Sequence, residues 1–224
     1  MKKKKIIVSI TGTSSEECLM KLAEIKKFKI TEAALFLEHL EKHDRDIVYT
    51  ALGKSGLKNI PLVHLRLDMS REEVKMLDKT YKVKCFTIHE DHFNIINHWR
   101  GFYKKLYLEM STDDYVANNV KVEKIGGFCV DLAHYKKQSA LGNKDYEYVH
   151  NRRNSPRLFI CNHLSGYDPK NNMDMHLVKS KKDFLYLENL PRFVFGKLIA
   201  FEINNSIKRQ LSLKSYIEFL MNRL

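Results

Sequence analysis

Nine side chains in this sequence have the types and the order of a metal centre. His64, His89, Glu109, Asp131, His134, His163, Asp174, His176 and Glu202 follow one another along the chain. Asp131-Leu132-Ala133-His134 is a D-x-x-H turn and Asp174-Met175-His176 a D-x-H, whose alternate residues can face one ion from an extended segment. Mixed imidazole and carboxylate donors suit Zn²⁺, Mn²⁺ or Fe²⁺ better than Mg²⁺. Taken singly, each residue has an ordinary explanation. A lone strand histidine is usually structural, Glu109 or Glu202 could pair with Lys or Arg, and Asp174 and His176 could sit in a solvated loop. The joint order points to a metal site. His39, His43, His92, His98 and His150 fall on helix-like segments and read as surface or structural residues.

The elements that must position these groups are short apolar runs at residues 6–11, 32–37, 60–67, 85–89, 106–110, 128–133, 157–164 and 198–203. Amphipathic segments separate them. Ser14-Ser15-Glu16-Glu17 and Ser70-Arg71-Glu72-Glu73 look like capped helix starts, and residues 212–224 carry Leu213, Ile217, Leu220 and Met221 at helical spacing. Strand–helix alternation means a parallel sheet. Eight units in 224 residues fit an α/β fold, a compact (β/α)8 TIM barrel, in one domain over 1–224. A doubly wound sheet is the rival, but no Gly-rich phosphate fingerprint follows any strand.

Strand phase links the two observations, since side chains alternate between faces. Cys85, Thr87 and His89 oppose Phe86 and Ile88. Tyr107 and Glu109 oppose Leu106, Leu108 and Met110. Gly127, Cys129 and Asp131 oppose Phe128, Val130 and Leu132. Phe159, Cys161 and His163 oppose Leu158 and Ile160, and Leu198, Ala200 and Glu202 oppose Ile199, Phe201 and Ile203. One phase is large and apolar, as a barrel exterior under helices needs. The other is mostly smaller and ends in His, Asp or Glu, as a narrow interior opening on a polar mouth needs. His64 takes the equivalent place on its strand. Several carboxylates brought to one mouth raise one another's pKa unless cations intervene, and burying one is costly unless it is paired or metal-bound. Cys129 and Cys161 read as small fillers deeper in the barrel.

Composition narrows the classes. Hydrophobic residues at 44%, with 9 Gly and 4 Pro, argue against disorder and low complexity. No apolar run reaches the ~20 residues of a membrane span. The basic head Met1 to Lys5 before Ile6 and Ile7 reads as the approach to a buried first strand, not a signal peptide. Four cysteines, Cys18, Cys85, Cys129 and Cys161, without a CxxC pair fit a reducing, cytoplasmic setting and no disulfide framework. A net charge of +12 attracts polyanions. Arg66, Arg71, Lys136, Lys137, Lys179, Lys181, Lys182, Lys208 and Arg209 follow strand ends. Lys2–Lys5, Lys26, Lys27, Lys104, Lys105, Arg152 and Arg153 precede strands and belong on the opposite face.

The ordered set resembles the xylose-isomerase-like TIM-barrel superfamily, and within it the endonuclease IV type of apurinic/apyrimidinic endonuclease. Gly127-Phe128-Cys129-Val130-Asp131-Leu132-Ala133-His134-Tyr135 is similar to that family's strand-six signature. Asn162-His163-Leu164 is similar to its strand-seven motif, and Asp174-Met175-His176 to its D-x-H. The resemblance implies three zinc ions: one on His64, His89 and Glu109, a second on Glu109, Asp131, His163 and Glu202 with Glu109 bridging, and a third on His134, Asp174 and His176. It implies a metal-dependent phosphodiester hydrolase of the DNA-repair type, with Glu109 and Glu202 catalytic. Abasic or damaged DNA would be the partner. Arg66 and Lys136 would contact phosphate, and Tyr135 and Tyr167 would stack on a sugar or base. Two departures stand against this. The chain is short for such an enzyme, and no segment corresponds to the loops that wedge into an abasic site.

Two other readings use the same residues. In a sugar or sugar-phosphate isomerase or epimerase, Glu109 and Glu202 would be the acid/base pair with a single Mn²⁺ or Mg²⁺. That group's His-x-x-Glu after strand seven is not matched by His163-Leu164-Ser165-Gly166. An isomerase also has no need of His64, His89, His134, Asp174 and His176 together. A barrel that keeps the site and only binds is the third reading.

Overall fold

A computed structural model describes residues 4–223. Nine strands form one parallel sheet: β1 (Lys5–Ile7), β2 (Ser9–Ile10), β3 (Ala34–Phe36), β4 (Leu62–His64), β5 (Cys85–Ile88), β6 (Leu106–Leu108), β7 (Gly127–Asp131), β8 (Phe159–Leu164) and β11 (Leu198–Phe201). Their order is β1-β11-β8-β7-β6-β5-β4-β3-β2. β1 and β2 stand at the two ends of this order, yet only Val8 separates them in the chain. The first half of one bent strand pairs with the last strand and its second half with β3, so the sheet curls into a nearly closed, TIM-like barrel. A separate antiparallel hairpin, β9 (Gly166–Asp168) and β10 (Met173–Met175), follows β8.

All eight apolar runs fold as sheet strands, and their phases are those read from the sequence except at the start of β8, where a register shift against β7 turns Phe159 outward onto Phe128 and leaves Ile160 against the inner cluster, a correction to the inner place expected for Phe159. Ile7, Ala34, Phe36, Leu62, Cys85, Tyr107, Cys129, Cys161, Leu198 and Ala200 pack together inside the barrel. Val63, Phe86, Leu108, Phe128, Val130, Ile199 and Phe201 pack outward beneath the covering layer. Each large apolar side chain buried there is worth roughly 1.5–3 kcal/mol. All four cysteines are free and buried.

The covering layer is less regular than the alternation suggests. The described residues hold six α-helices: α1 (Ser15–Lys27), α2 (Lys42–Ser55), α3 (Arg71–Tyr81), α4 (Leu132–Leu141), α5 (Lys144–His150) and α6 (Ile207–Met221). Ser14 caps α1, and Ser70 with Glu73 forms a full capping box on α3. The last helix starts five residues earlier than its apolar spacing shows, at Ile207, and Leu224 lies outside the described residues. The connections after β5, β6 and β8 contain 3₁₀ turns in place of an α-helix. Strict strand–helix alternation is therefore absent at these three connections of the described residues. Trp99 serves one of these irregular stretches as a core plug, fully buried with its indole N–H donated to the Met69 carbonyl at 3.1 Å. No helix of the described residues is long and apolar enough to cross a membrane.

Candidate metal centre at the C-terminal mouth of the barrel

Every parallel strand ends at the same mouth, and the nine expected side chains are found there. His64 ends β4, His89 follows β5, Glu109 follows β6, Asp131 ends β7, His163 lies in β8 and Glu202 follows β11. Register fixes neighbours: Asp131 stands beside His163, and His163 beside Ala200, two residues before Glu202. His134 sits in the first turn of α4. Asp131 caps that helix by accepting the His134 N–H at 2.7 Å, so one carboxylate oxygen places the D-x-x-H pair and the other is left for the mouth. Asp174 lies in β10 and His176 just beyond it. The hairpin was not foreseen, and it turns the D-x-H back over the mouth.

Glu109 is the hub. Its Oε2 lies 2.9 Å from His64 Nε2, 3.0 Å from His163 Nδ1 and 3.5 Å from His89 Nε2, and its Oε1 is 3.9 Å from His134 Nδ1. His64 Nε2 and His89 Nε2 face each other at 3.0 Å. His163 Nδ1 is 3.3 Å from Glu202 Oε2. Asp174 Oδ2 is 3.1 Å from His176 Nε2 and 3.7 Å from His134 Nε2. Two ligands on one tetrahedral zinc stand about 3.3 Å apart for zinc–nitrogen bonds of about 2.0–2.1 Å, and most of these separations are close to that. Among the described residues, His64, Glu109 and His163 form one group able to hold an ion, and Glu109, Asp131, His163 and Glu202 another.

Two features show that the cluster fits cations rather than a self-contained hydrogen-bond network. First, Asp131 Oδ2, Glu202 Oε2, His163 Nδ1 and His134 Nδ1 are buried without a hydrogen-bond partner, which is costly for polar atoms unless something else satisfies them. Second, each of three imidazoles spends one nitrogen on a fixed protein group and turns the other to the carboxylates. His64 Nδ1 donates to the Leu65 carbonyl at 3.1 Å, and His176 Nδ1 to the Glu202 carbonyl at 2.9 Å. His163 Nε2 meets the Thr87 hydroxyl at 3.2 Å. Metal-bound histidines are anchored in this way.

The electrostatics have the same sense. Burial pushes the Asp131 carboxyl up to about 7, with Glu202 and Glu109 adding and His134 opposing. Burial opposes protonation of His64, but Glu38 and Glu109 outweigh it and raise the imidazole to about 9. His134 is likewise raised to about 10, against burial, by Asp131, Asp174, Glu109 and Glu202. The bond to Asp174 raises His176 to about 9. His134 and His176 in turn hold Asp174 far below the usual carboxylate range. Without ions, protons hold the site together.

Glu38 was missed. It follows β3, in the interior phase of Ala34 and Phe36, and its buried, unpartnered Oε2 lies 3.7 Å from His64 Nδ1. Strand phase alone would have found it. Of the four residues expected to touch substrate, Lys136 and Tyr167 line a groove of about 760 Å³ beside the mouth, with Lys170, Lys182 and Tyr186. Tyr135 is instead buried against Tyr146 and Phe193, with its hydroxyl 3.4 Å from His150 Nδ1, and offers no open ring face. Arg66 is engaged by Glu41 and Asp68. His92 is a structural histidine, stacked on Trp99 and lowered to about 4 by burial.

Comparison with models of protein families, with curated proteins and with solved structures finds no match for this chain.

Proposed function

We propose that this protein is a metal-dependent phosphodiester hydrolase resembling the endonuclease IV type, acting on abasic or damaged DNA. In this reading β1 and β2 count as one bent strand, the fold is an eight-stranded xylose-isomerase-like TIM barrel, and the setting is cytoplasmic. The observation that carries it is the buried cluster of His64, Glu109, Asp131, His163 and Glu202, with ligand atoms left unpartnered and with His89, His134, Asp174 and His176 at its edge.

His64, His89 and Glu109 would hold one ion. Glu109, Asp131, His163 and Glu202 would hold a second, and His134, Asp174 and His176 a third, zinc being the best match to the donors. Bound there, the ions supply Lewis acidity toward phosphoryl oxygens and lower the pKa of an attacking water. The chain's own residues supply the rest. Glu109 spans the first two sets and fixes their separation. Glu202, whose Oε2 lies 3.3 Å from His163 Nδ1, would hold the proton released by the attacking water. The groove bearing Lys136, Lys170 and Lys182, beside Asp168 and Asp183, offers charge for the flanking phosphates, while Tyr167 and Tyr186 form its largely buried wall.

The isomerase reading rests on Glu109, Asp131, His163 and Glu202 alone, a set that suits one Mn²⁺ or Mg²⁺. It leaves His64, His89, His134, Asp174 and His176 without a task. Elemental analysis separates the two: about three zinc per chain supports hydrolysis, and one Mn²⁺ supports isomerisation. Nicking of a duplex with a single abasic site, lost in Glu202→Gln, tests the substrate. No cleavage at high concentrations of zinc-loaded protein overturns the DNA assignment.

A further inference from the structure

The excess positive charge does not belong to the mouth. In a parallel barrel every segment leading into a strand lies at the face opposite the site. Residues 54–61, 82–84, 100–105, 150–158 and 190–197 are such segments. They contain Lys and Arg throughout and no Asp or Glu. Residues 26–33 and 121–126 each carry a single acid, Glu32 and Glu123, and both are already paired, with Lys5 and Arg152. The acids cluster instead on the segments that leave strands, among them Glu38, Glu41, Asp68, Glu90, Asp113 and Asp114. The molecule is therefore polar along its barrel axis, with an acidic rim at the mouth and a basic opposite end.

That end is exposed and crowded with like charge. Lys26, Lys29 and Lys54 line one depression of about 260 Å³ with Thr31 and Ser55 and without an acid. Lys84, Lys104 and Lys197 are exposed farther round the same face. Burial and the neighbouring Arg192 lower Lys4. Lys2 and Lys3 lie outside the described residues. On these segments Phe28 is the one large exposed apolar side chain among the described residues, and Lys27 covers its ring at 5.9 Å. Anchoring in a bilayer interface calls for several apolar or aromatic groups beside the basic ones. Unpaired, mostly lysine cations on a polar ground suit a chain of phosphates.

We propose that the N-terminal face of the barrel is a second, non-catalytic docking surface for the phosphate backbone of a nucleic acid. It holds a segment distinct from anything bound at the mouth. Apart from the two-residue β2, the barrel strands span three to six residues, roughly 10–20 Å at about 3.3 Å per residue, so the two faces do not merge. The inference does not rest on the hydrolase reading, because binding to this face needs neither metal nor cleavage.

Fluorescence anisotropy with an undamaged 25-base-pair duplex, titrated across salt concentrations in EDTA, tests it. Two triple reversals sample separate parts of the face, K26E/K29E/K54E and K84E/K104E/K197E. Two sets keep the test alive should one disturb folding, which thermal melting reports. Each is expected to weaken binding at least about tenfold near 0.1 M salt and to flatten the log–log salt slope by about 2–3, near 0.9 per lost phosphate contact. The matched reversal K42E/K75E/K144E, on the outer helices, is expected to leave both nearly unchanged. Equal loss in that control would show that net charge alone matters and overturn the proposal. Wild-type affinity in both basic-face variants would overturn it too. So would wild-type protein binding vesicles containing 30% phosphatidylserine while ignoring the duplex.

Discussion

His163 has no exposed surface and two different nitrogens to satisfy. Thr87 takes Nε2 at 3.2 Å, and Nδ1 is left between Glu109 and Glu202. Replacing the hydroxyl by a methyl, Thr87→Val, keeps the shape and removes the anchor. It should weaken the tightest metal site about 10–100-fold with little loss of fold. Competition with a chromophoric chelator measures this, and unchanged affinity would show that Thr87 does not orient the ligand. Away from the site, Asp145 is fully buried with one oxygen unpartnered and the other accepting from Gln138 at 3.1 Å. Burial, then Glu90, Asp113 and Asp114, push its carboxyl from 3.8 up to about 8. The native state thus keeps a proton that the unfolded chain gives up near pH 4, and stability falls as pH rises from about 4 to about 8. Asp145→Asn keeps the neutral form at all pH values. It should match wild type near pH 4 and exceed it by more than about 1 kcal/mol at pH 8. Urea unfolding at both pH values decides, and an equal loss at both would refute the account.

At the scale of elements, strand phase carried most of what the sequence could say. The alternation of Cys85, Thr87 and His89 against Phe86 and Ile88 gives the strand, its inner face and its ligand together, because a buried sheet must sort large from small. The same rule applied to Ala34, Phe36 and Glu38 reaches the ligand-side carboxylate that the apolar run, ending at Leu37, hid. The connections were harder to read. Between β5 and β6, short 3₁₀ turns hold Phe93 and Trp99 in the core without helical periodicity. The β9–β10 hairpin has strands of only three residues, too short for an alternation to stand out. Tyr135 follows the D-x-x-H and looked available, but one turn of α4 carries it round to the outer layer. Asn162, which in the sequence is only the residue before His163, is a strand clamp. From the outer face of β8 its amide donates to the Val130 and Val194 carbonyls at 2.9 and 2.8 Å and accepts from Gly196 N at 2.6 Å. It ties β7 and the approach to β11 onto the strand that bears His163. Asn162→Leu withdraws all three bonds inside a closed layer. It should cost about 2–4 kcal/mol, at roughly 1–3 kcal/mol per stranded buried group, seen as a lower urea midpoint. A loss under about 1 kcal/mol would mean that the clamp is dispensable.

For the whole molecule, the mouth couples metal to protons and to stability. His64, His134 and His176, raised to about 9, 10 and 9, are held protonated near neutrality by the carboxylates around them. A metal ligand must be neutral, so each ion that enters displaces protons, and affinity climbs as pH rises toward 9–10 and falls as it drops. Calorimetry in buffers of different ionisation enthalpy should find at least two protons released per chain on zinc loading at pH 7.5. The metal-free protein has the opposite dependence. The stabilisation that these raised imidazoles contribute is complete below their unfolded value of 6.5 and is lost as pH passes through 9–10. The loaded and metal-free forms should therefore diverge on the alkaline side. At neutral pH, zinc at a hundred times its Kd should add about 2.7 kcal/mol, and a chelator should remove it. No proton release, together with a melting temperature indifferent to zinc and to chelator, would mean that the nine donors converge for some purpose other than holding cations.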